Sequence, residues 1–186
     1  MVWAKINIVG MRDLYLCSFY RPPSSDIEYL EKLNTSLNRI DSSNPIIWLA
    51  GDFNLPHIDW ESDSVAQKCN NRAIHQQLLD IGSNHFLQQM VTSPTRNNNI
   101  LDLFFTNNDS FVNRVETLPG MSDHDAVFIE NNMQPKRSPS VKMKVKLYKK
   151  QTLTKLKMSL TQSEQKRKPS TRIYRLMIFG RCSRKH

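Results

Sequence analysis

The sequence predicts a layered α/β sandwich, and three observations support that fold class. Short segments with the two-residue alternation of β-strands are interspersed with two segments whose apolar residues recur every three or four positions, as they do in helices. One strand candidate is apolar throughout, which is typical of a strand covered on both faces. The sequence contains no internal repeat. Helices interspersed with buried strands favour stacked layers over a helical bundle or an all-β barrel.

A hairpin and a helix are predicted at the start of the chain. Apolar residues recur at every second position from Val2 to Ile8, and the strand-like segment DLYLCSFY follows a turn at Gly10. Ser25-Asp26-Ile27-Glu28 fits a capping box. Apolar residues then fall on one helical face, so we expect the helix to run to about Ile40.

A buried strand and a second helix are predicted next. The apolar run from Ile46 to Ala50 has the length of a strand, and Gly51-Asp52-Phe53-Asn54 follows at its exit. The second helix is predicted from an apolar stripe of Ala73, Ile74, Leu78 and Ile81. We expect this helix to stop at Gly82. Four further strands are predicted at 86–91, 100–106, 111–118 and 126–130.

Charge is divided unevenly along the 186 residues. Of the 26 lysines and arginines, 17 lie in residues 136–186 beside a single acid, whereas residues 1–135 have nine basic and 16 acidic residues. We place a domain boundary near Gln134-Pro135, between an α/β domain at 1–135 and a basic linker or tail at 136–186 that we expect to be poorly ordered. The tail has two open interpretations: it binds the nucleic-acid backbone, or it is a solvated linker followed by out-of-register translation from about residue 161.

Composition argues against several classes of protein. No apolar run approaches the roughly 18 residues of a membrane-spanning helix, and the first residues lack the pattern of a signal peptide. Cys17, Cys69 and Cys182 are odd in number and widely spaced, which argues against a disulfide framework or a zinc knuckle. We therefore expect an intracellular protein without membrane contact, and KRKPS is compatible with nuclear localisation.

Polar residues interrupt three of the predicted strands at or near their ends. Asp102 lies inside the apolar segment ILDLFF, where an unpaired carboxylate is unfavourable, so we expect it to pair with His124. A carboxylate fixes the tautomer of a histidine and stabilises its protonated form, as acid/base catalysis requires. Asp52 and Asp123 could orient a water and hold a hard divalent cation, with Asn54 nearby. Together these residues predict a phosphodiester-hydrolysing site.

Four segments, taken in order, resemble one family. SFYRPP, LAGDFN, PTRNNNILDLFFTN and GMSDHDAVF are similar to motifs of the exonuclease-endonuclease-phosphatase superfamily, which includes apurinic-apyrimidinic endonucleases and pancreatic deoxyribonuclease. YRPP, PTR, LDL and TN select within it the endonuclease domain of a non-LTR (LINE-type, Jockey-like) retrotransposon polyprotein. The resemblance covers about residues 2–135 and implies a deoxyribonuclease-like α/β sandwich. It also implies a reverse transcriptase domain in the full-length polyprotein.

The resemblance implies catalytic roles for four residues. Asp52 would activate or orient the attacking water, and Asn54 would position that water or the phosphate. Asp102 would pair with His124, and His124 would stabilise the pentavalent phosphate. These roles place the chemistry at the three interrupted strands.

The same resemblance implies contacts with phosphate, DNA and metal. Tyr20 would touch the scissile phosphate, while Thr95 and Ser122 would make supporting phosphate or DNA contacts. Asp123 would help to hold the metal. That metal is implied to be Mg²⁺, or Mn²⁺ in its place, because all of these ligands are oxygens. No small-molecule cofactor is implied.

The sequence departs from the family at its start. The family begins with a strand carrying an Asn and later places a Glu that is the principal metal ligand, both before the segment that VWAKINIVG resembles. Neither has a counterpart here, because the only acid before Tyr20 is Asp13. We therefore expect a domain that lacks its N-terminal strands, with a weakened metal site and little or no nuclease activity.

Three hypotheses for function follow. The first is a fragment of a Mg²⁺-dependent endonuclease that nicks target DNA to leave a primer for reverse transcription. The second is a non-catalytic nucleic-acid-binding remnant with a basic tail. The third keeps the fold but changes the substrate to a phosphoinositide or sphingolipid, against which PTR and LDLFFTN argue. A plasmid-nicking assay with Mg²⁺ separates the first two.

Overall fold

The computed structural model describes residues 1–40, 44–120, 123–134 and 136, together with the backbone of Tyr174–Ile178. The helices in this part of the chain are α1 (Glu28–Leu37) and α2 (Arg72–Asn84), and neither is long and apolar enough to cross a bilayer. The strands are β1 (Val2–Ile6), β2 (Leu14–Tyr20), β3 (Ile46–Asp52), β4 (Ile58–Asp59), β5 (Ser64–Val65), β6 (Gln88–Gln89), β7 (Asp102–Thr106), β8 (Val112–Leu118), β9 (Ala126–Asn131) and β10 (Tyr174–Ile178).

The strands form two larger sheets and a small ribbon. The first sheet has the order β1-β2-β3-β7-β6, the second has the order β8-β9-β10, and β4 pairs with β5. Strands β2 and β3 run parallel, and the other pairs are antiparallel. In the region predicted as a basic tail, the backbone of β10 lies along β9. Pro135 and most of residues 136–186 lie outside the described residues, so the domain boundary and the poor order expected of the tail stay predictions.

Strand β3 lies between two hydrophobic cores. All seven of its residues are buried, as its apolar run predicts. Side chains alternate along a strand, so Ile47 and Leu49 pack towards the helices. Ile46 and Trp48 pack towards the second sheet. The layers are therefore two helices, a five-stranded sheet and a second sheet, which confirms the predicted layered α/β sandwich.

The predicted opening hairpin is confirmed by the pairing of β1 with β2, but the predicted helix ends were wrong. The Ser25 hydroxyl donates to the Pro22 carbonyl instead of capping a helix, and α1 begins at Glu28. Helix α2 does not stop at Gly82 but continues to Asn84. Gly82 is buried, and its carbonyl oxygen accepts a hydrogen bond from the Leu87 backbone N–H at 2.8 Å, just after the helix ends.

Most predicted strands form within two residues of their expected bounds, and one is much shorter. The strand predicted at 86–91 is reduced to Gln88–Gln89. Phe86 has a positive φ of 53° and a side chain that is 86% exposed, so it belongs to the turn that follows α2. The ribbon of β4 and β5 forms in a segment predicted as a loop.

Gly51 allows β2 and β3 to approach each other near their ends. Its φ of 149° is a conformation that favours glycine, and a Cβ atom at this position would lie 1.8 Å from the Phe19 carbonyl oxygen. The fold therefore requires glycine here. The next residues along the two strands, Tyr20 and Asp52, are register partners.

Candidate active site

Three polar residues occupy one row across the end of the first sheet. Tyr20 ends β2, Asp52 ends β3 and Asp102 begins β7. Asp52 is the register partner of Tyr20 on one side and of Asp102 on the other. Register partners have Cα atoms roughly 5 Å apart. The pairing of the strands therefore brings these three predicted residues together.

His124 reaches this row from the second sheet, two residues before β9. Its Nδ1 donates a hydrogen bond to Asp102 Oδ2 at 2.7 Å, and both side chains are buried. Because an ionised carboxylate only accepts hydrogen bonds, this contact fixes the tautomer with the proton on Nδ1. The predicted pairing of Asp102 with His124 is confirmed.

Asp52, Asp102 and His124 form a compact cluster. One ligand atom from each lies within 4.8 Å of the other two. The second oxygen of Asp102, Oδ1, is buried and has no hydrogen-bond partner in the described part of the chain. Such an oxygen is unfavourable unless a cation or a water meets it. Two carboxylates and an imidazole are suitable donors for a divalent cation, so the cluster fits such an ion.

The carboxyl group of Asp52 is perturbed by its surroundings. Burial raises the pKa of Asp52 to about 6, and the negative charge of Asp102 acts in the same direction. The charge of His124 and the hydrogen bonds with Asn54 oppose this increase in pKa. A carboxyl group that titrates near neutrality is suited to accept a proton at ordinary pH.

Asn54 lies beside Asp52 in the loop that leaves β3. Its backbone N–H donates to Asp52 Oδ1 at 3.1 Å, and its Nδ2 donates to the Arg21 carbonyl oxygen at 2.9 Å. Arg21, which follows β2, donates in turn from Nη1 to the Asn54 carbonyl oxygen at 3.3 Å. The loop is therefore tied to the neighbouring strand, and its backbone helps to orient the Asp52 carboxylate.

Thr95 is completely buried next to the cluster. Its hydroxyl accepts hydrogen bonds from the backbone N–H groups of Leu101 and Asp102, both at 3.0 Å. Its carbonyl oxygen accepts a hydrogen bond from the Asp125 backbone N–H at 2.7 Å. Thr95 thereby joins the start of β7 to the segment that holds His124. A phosphate or DNA contact by Thr95 stays a prediction, because these contacts engage its hydroxyl with the backbone.

The other two predicted residues precede His124 in sequence. Asp123 forms an ion pair with Arg96 at 2.5 Å, and its side chain is 62% exposed. It is not one of the three clustered donors, so metal binding by Asp123 stays a prediction. Ser122 lies outside the described residues, and its predicted contact is untested.

Sequence reasoning missed two arginines of the site. Arg21 follows Tyr20 in YRPP, and Arg96 follows Thr95 in PTR. The available signal was that each arginine adjoins a predicted site residue within a motif. Their partners, Asn54 and Asp123, lie 33 and 27 positions away, and no local pattern identifies them.

A comparison with known protein families agrees with this geometry. A family model described as endonuclease-reverse transcriptase matches residues 14–128, more than half of the chain. The match begins at the first residue of β2 and ends within β9, so it includes the row of polar residues and His124. No curated protein matches the chain.

Proposed function

The chain belongs to the endonuclease-reverse transcriptase family, and we propose that its active site hydrolyses phosphodiester bonds of DNA. The observation that supports this proposal most directly is the buried hydrogen bond between Asp102 and His124 beside Asp52. The proposed product is a nick in one DNA strand whose 3′-hydroxyl end primes reverse transcription. The reverse transcriptase would be another domain of the same LINE-type, Jockey-like polyprotein.

Four residues have distinct roles in the proposed reaction. Ionised Asp52 accepts a proton from the attacking water, while the water oxygen forms a bond to phosphorus. Asn54 holds that water in line. The bond between phosphorus and the 3′ oxygen breaks, and the departing oxygen takes a proton from solvent. Protonated His124, held by Asp102, donates to the phosphate oxygens as their negative charge increases.

Three further residues are proposed contacts of the DNA. Tyr20 is supported by its place next to Asp52 in the sheet, which would bring its side chain to the scissile phosphate. Thr95 and Ser122 are proposed phosphate or DNA contacts of secondary importance. Thr95 also has a structural contribution, because its hydroxyl engages the backbone of Asp102.

A divalent cation would be held by the carboxylates of Asp52 and Asp102, and Asp123 would join them only after leaving Arg96. His124 is not a ligand in the proposed reaction, because both of its ring nitrogens carry a proton when it donates to Asp102 and to the phosphate. Such a cation supplies positive charge where the phosphate becomes more negative. Carboxylate oxygens favour Mg²⁺, with Mn²⁺ as a suitable replacement. The proposal involves no organic cofactor.

We expect nicking by residues 1–186 alone to be slow, because these residues include no counterpart of the Glu that the family resemblance implies as the principal metal ligand. A misplacement of roughly 1 Å around a phosphate can lower the rate on the order of a hundredfold. The second candidate function is non-catalytic DNA binding, which the 17 basic residues of 136–186 favour because they would displace counterions from the DNA backbone. Either activity would be exerted in the nucleus.

The test is conversion of supercoiled plasmid to open circles in Mg²⁺ or Mn²⁺. We expect slow nicking that a chelator stops and that Asp52→Asn lowers by at least about a hundredfold. Nicking that persists in Asp52→Asn would contradict the proposed site. Absence of nicking together with salt-sensitive DNA binding would favour the binding remnant, and release of phosphate from a phosphoinositide would favour a lipid substrate.

A further inference from the structure

We propose that Arg21 is a positioning residue that holds the loop Asp52–Asn54 in its reactive geometry. This inference rests on the proposed nuclease function, because it concerns the same site. Arg21 does not contact the DNA in this proposal, since only 2% of its surface is exposed. Its effect is exerted through Asn54 and Asp52.

Arg21 contacts the loop with its backbone and with its side chain. Its backbone N–H donates to the Asp52 carbonyl oxygen at 2.9 Å, and its carbonyl oxygen accepts from Asn54 Nδ2 at 2.9 Å. Its guanidinium donates from Nη1 to the Asn54 carbonyl oxygen at 3.3 Å and from Nη2 to the Ser25 carbonyl oxygen at 2.5 Å. The backbone of residue 21 therefore holds the side-chain amide of Asn54, and the guanidinium of Arg21 adds a contact to the Asn54 backbone.

The guanidinium of Arg21 is used as a hydrogen-bonding fork rather than as an ion-pair partner. Within the described residues Arg21 forms no salt bridge, and its Nε is buried without a hydrogen-bond partner. Burial lowers the pKa of Arg21, and the charge of Asp26, which forms no salt bridge with it, opposes this effect only in part. The charge itself is therefore unfavourable here, and the contribution of Arg21 lies in its hydrogen bonds. A planar guanidinium can span two carbonyl groups from separate segments, which an ammonium group does poorly.

The geometry of Asn54 explains why this support matters for the site. Its φ of 51° lies in the left-handed region, which asparagine tolerates but which is unfavourable without support. From this conformation its N–H reaches Asp52 Oδ1 at 3.1 Å. If the loop relaxed, Asp52 would lose an orienting hydrogen bond and Asn54 would leave its place beside it. Arg21 opposes that relaxation.

The chain offers a matched control at the opposite end of β2 and β3. Arg12, which precedes β2, donates from Nη1 to the carbonyl oxygen of Asn44 at 3.2 Å and to its Oδ1 at 2.8 Å. Asn44 also has a left-handed φ, 56°. The two strands separate this contact from the site by about 20 Å. Arg12→Gln therefore removes a contact of the same kind away from the site.

The test compares Arg21→Gln, Arg21→Lys and Arg12→Gln in the 186-residue protein by NMR-detected hydrogen exchange. The reporters are the backbone N–H and the Nδ2 group of Asn54. Arg21→Gln removes the hydrogen bond from Nη1 to the Asn54 carbonyl oxygen but keeps the backbone contacts of residue 21. We expect the loop to open more readily and exchange at both reporters to speed up by about tenfold, the factor for one lost hydrogen bond, with Arg21→Lys intermediate. The exchange rate of the Leu49 backbone amide and the chemical shift of the proton shared by Asp102 and His124 are expected to stay as in the wild type. Arg12→Gln is expected to leave the exchange rates of both Asn54 groups unchanged.

Three outcomes would overturn the proposal: unchanged exchange at Asn54, an equal increase at Leu49, or the same increase in Arg12→Gln. If Arg21→Gln does not fold, Arg21→Lys decides, because it keeps the charge and most of the aliphatic stem. Hydrogen exchange does not require the protein to cleave DNA, so failure of the nuclease proposal can be told apart from failure of the positioning proposal.

Where the wild type nicks DNA, Arg21→Gln is expected to lower the rate at saturating DNA about ten- to a hundredfold without changing DNA affinity. An equal loss of affinity would contradict a positioning role.

Discussion

The parallel strands β2 and β3 are joined at both ends by a contact between an arginine and an asparagine. Before the strands Arg12 donates to Asn44, and after them Arg21 donates to Asn54. Both asparagines have a left-handed backbone conformation. The first contact is exposed and the second is buried. The two ends therefore share the same kind of contact between an arginine and an asparagine, and they differ in exposure to water.

Burial changes what such a contact contributes. At the exposed end, water can replace either partner, so the contact contributes little to stability. At the buried end, a lost partner leaves polar groups unsatisfied, and the disturbance reaches Asp52 through Asn54. The same pair of residue types therefore ties strands together at one end and, under the proposed function, also orients the Asp52 carboxylate at the other.

The largest effect is expected where a buried carboxylate loses its partner. His124→Ala leaves Asp102, which is completely buried, without its hydrogen bond. We expect the free energy of unfolding at neutral pH to fall by about 3–5 kcal/mol. Urea denaturation followed by tryptophan fluorescence measures this change. A loss below about 1 kcal/mol would show that the stability of the fold does not depend on the pairing of Asp102 with His124.

Asp52→Asn is expected to change stability in the opposite direction. The pKa of Asp52 is about 6 in the folded protein against an ordinary 3.8, so the folded wild type loses stability as pH rises between these values. Asparagine has no such dependence. We expect the variant to be more stable by about 1–3 kcal/mol above pH ~6 and equal to the wild type below pH ~4. Thermal unfolding across this pH range measures the difference, and a gain that does not depend on pH would refute its assignment to Asp52.

A smaller effect is expected at the rim of the buried end. Arg96→Gln removes the ion pair with Asp123, whose side chains are 37% and 62% exposed. Exposed pairs of this kind contribute about 0.2–1 kcal/mol, and salt screens them. We expect a loss of stability in that range that disappears in about 1 M NaCl. A loss insensitive to salt would indicate that Arg96 has a packing role.

The smallest effect is expected at the exposed end. Arg12→Gln removes hydrogen bonds to Asn44 that water can replace. We expect the free energy of unfolding to change by less than about 0.5 kcal/mol. Denaturant titration beside the wild type measures it. A loss comparable with that of an Arg21 variant would abolish the distinction between the two ends.

Sequence alone predicted those features that depend on a local pattern or on one buried group. The run IIWLA identified β3 because a strand covered on both faces has no polar side. The position of Asp102 predicted its pairing with His124. A carboxylate inside an apolar strand requires a partner, and His124 precedes a later strand.

Features that depend on distant contacts could not be predicted in this way. Gly82 has the sequence character of a helix end, yet α2 continues through it to Asn84, and its carbonyl oxygen accepts from Leu87, five residues later. Arg21 adjoins a motif, yet its contact with Asn54, 33 positions away, is visible only in the folded chain. The division of the strands between two sheets is likewise a matter of pairing, which alternation along one strand does not encode.

Selection for folding and selection for the proposed reaction act on different residues of one short motif, Gly51-Asp52-Phe53-Asn54. Gly51 has no room for a side chain beside Phe19, and Phe53 is completely buried in the core, so folding demands both. Asp52 is favoured only by the proposed reaction, because burial of its charge opposes folding. Asn54 is also favoured by the fold, through its left-handed backbone and its hydrogen bonds with Arg21. A mutational library screened only for folded protein would keep the glycine and the phenylalanine, restrict the fourth position and let the second drift. A relative that had kept all but Asp52 would still fold, and the proposed function predicts that it would not nick DNA.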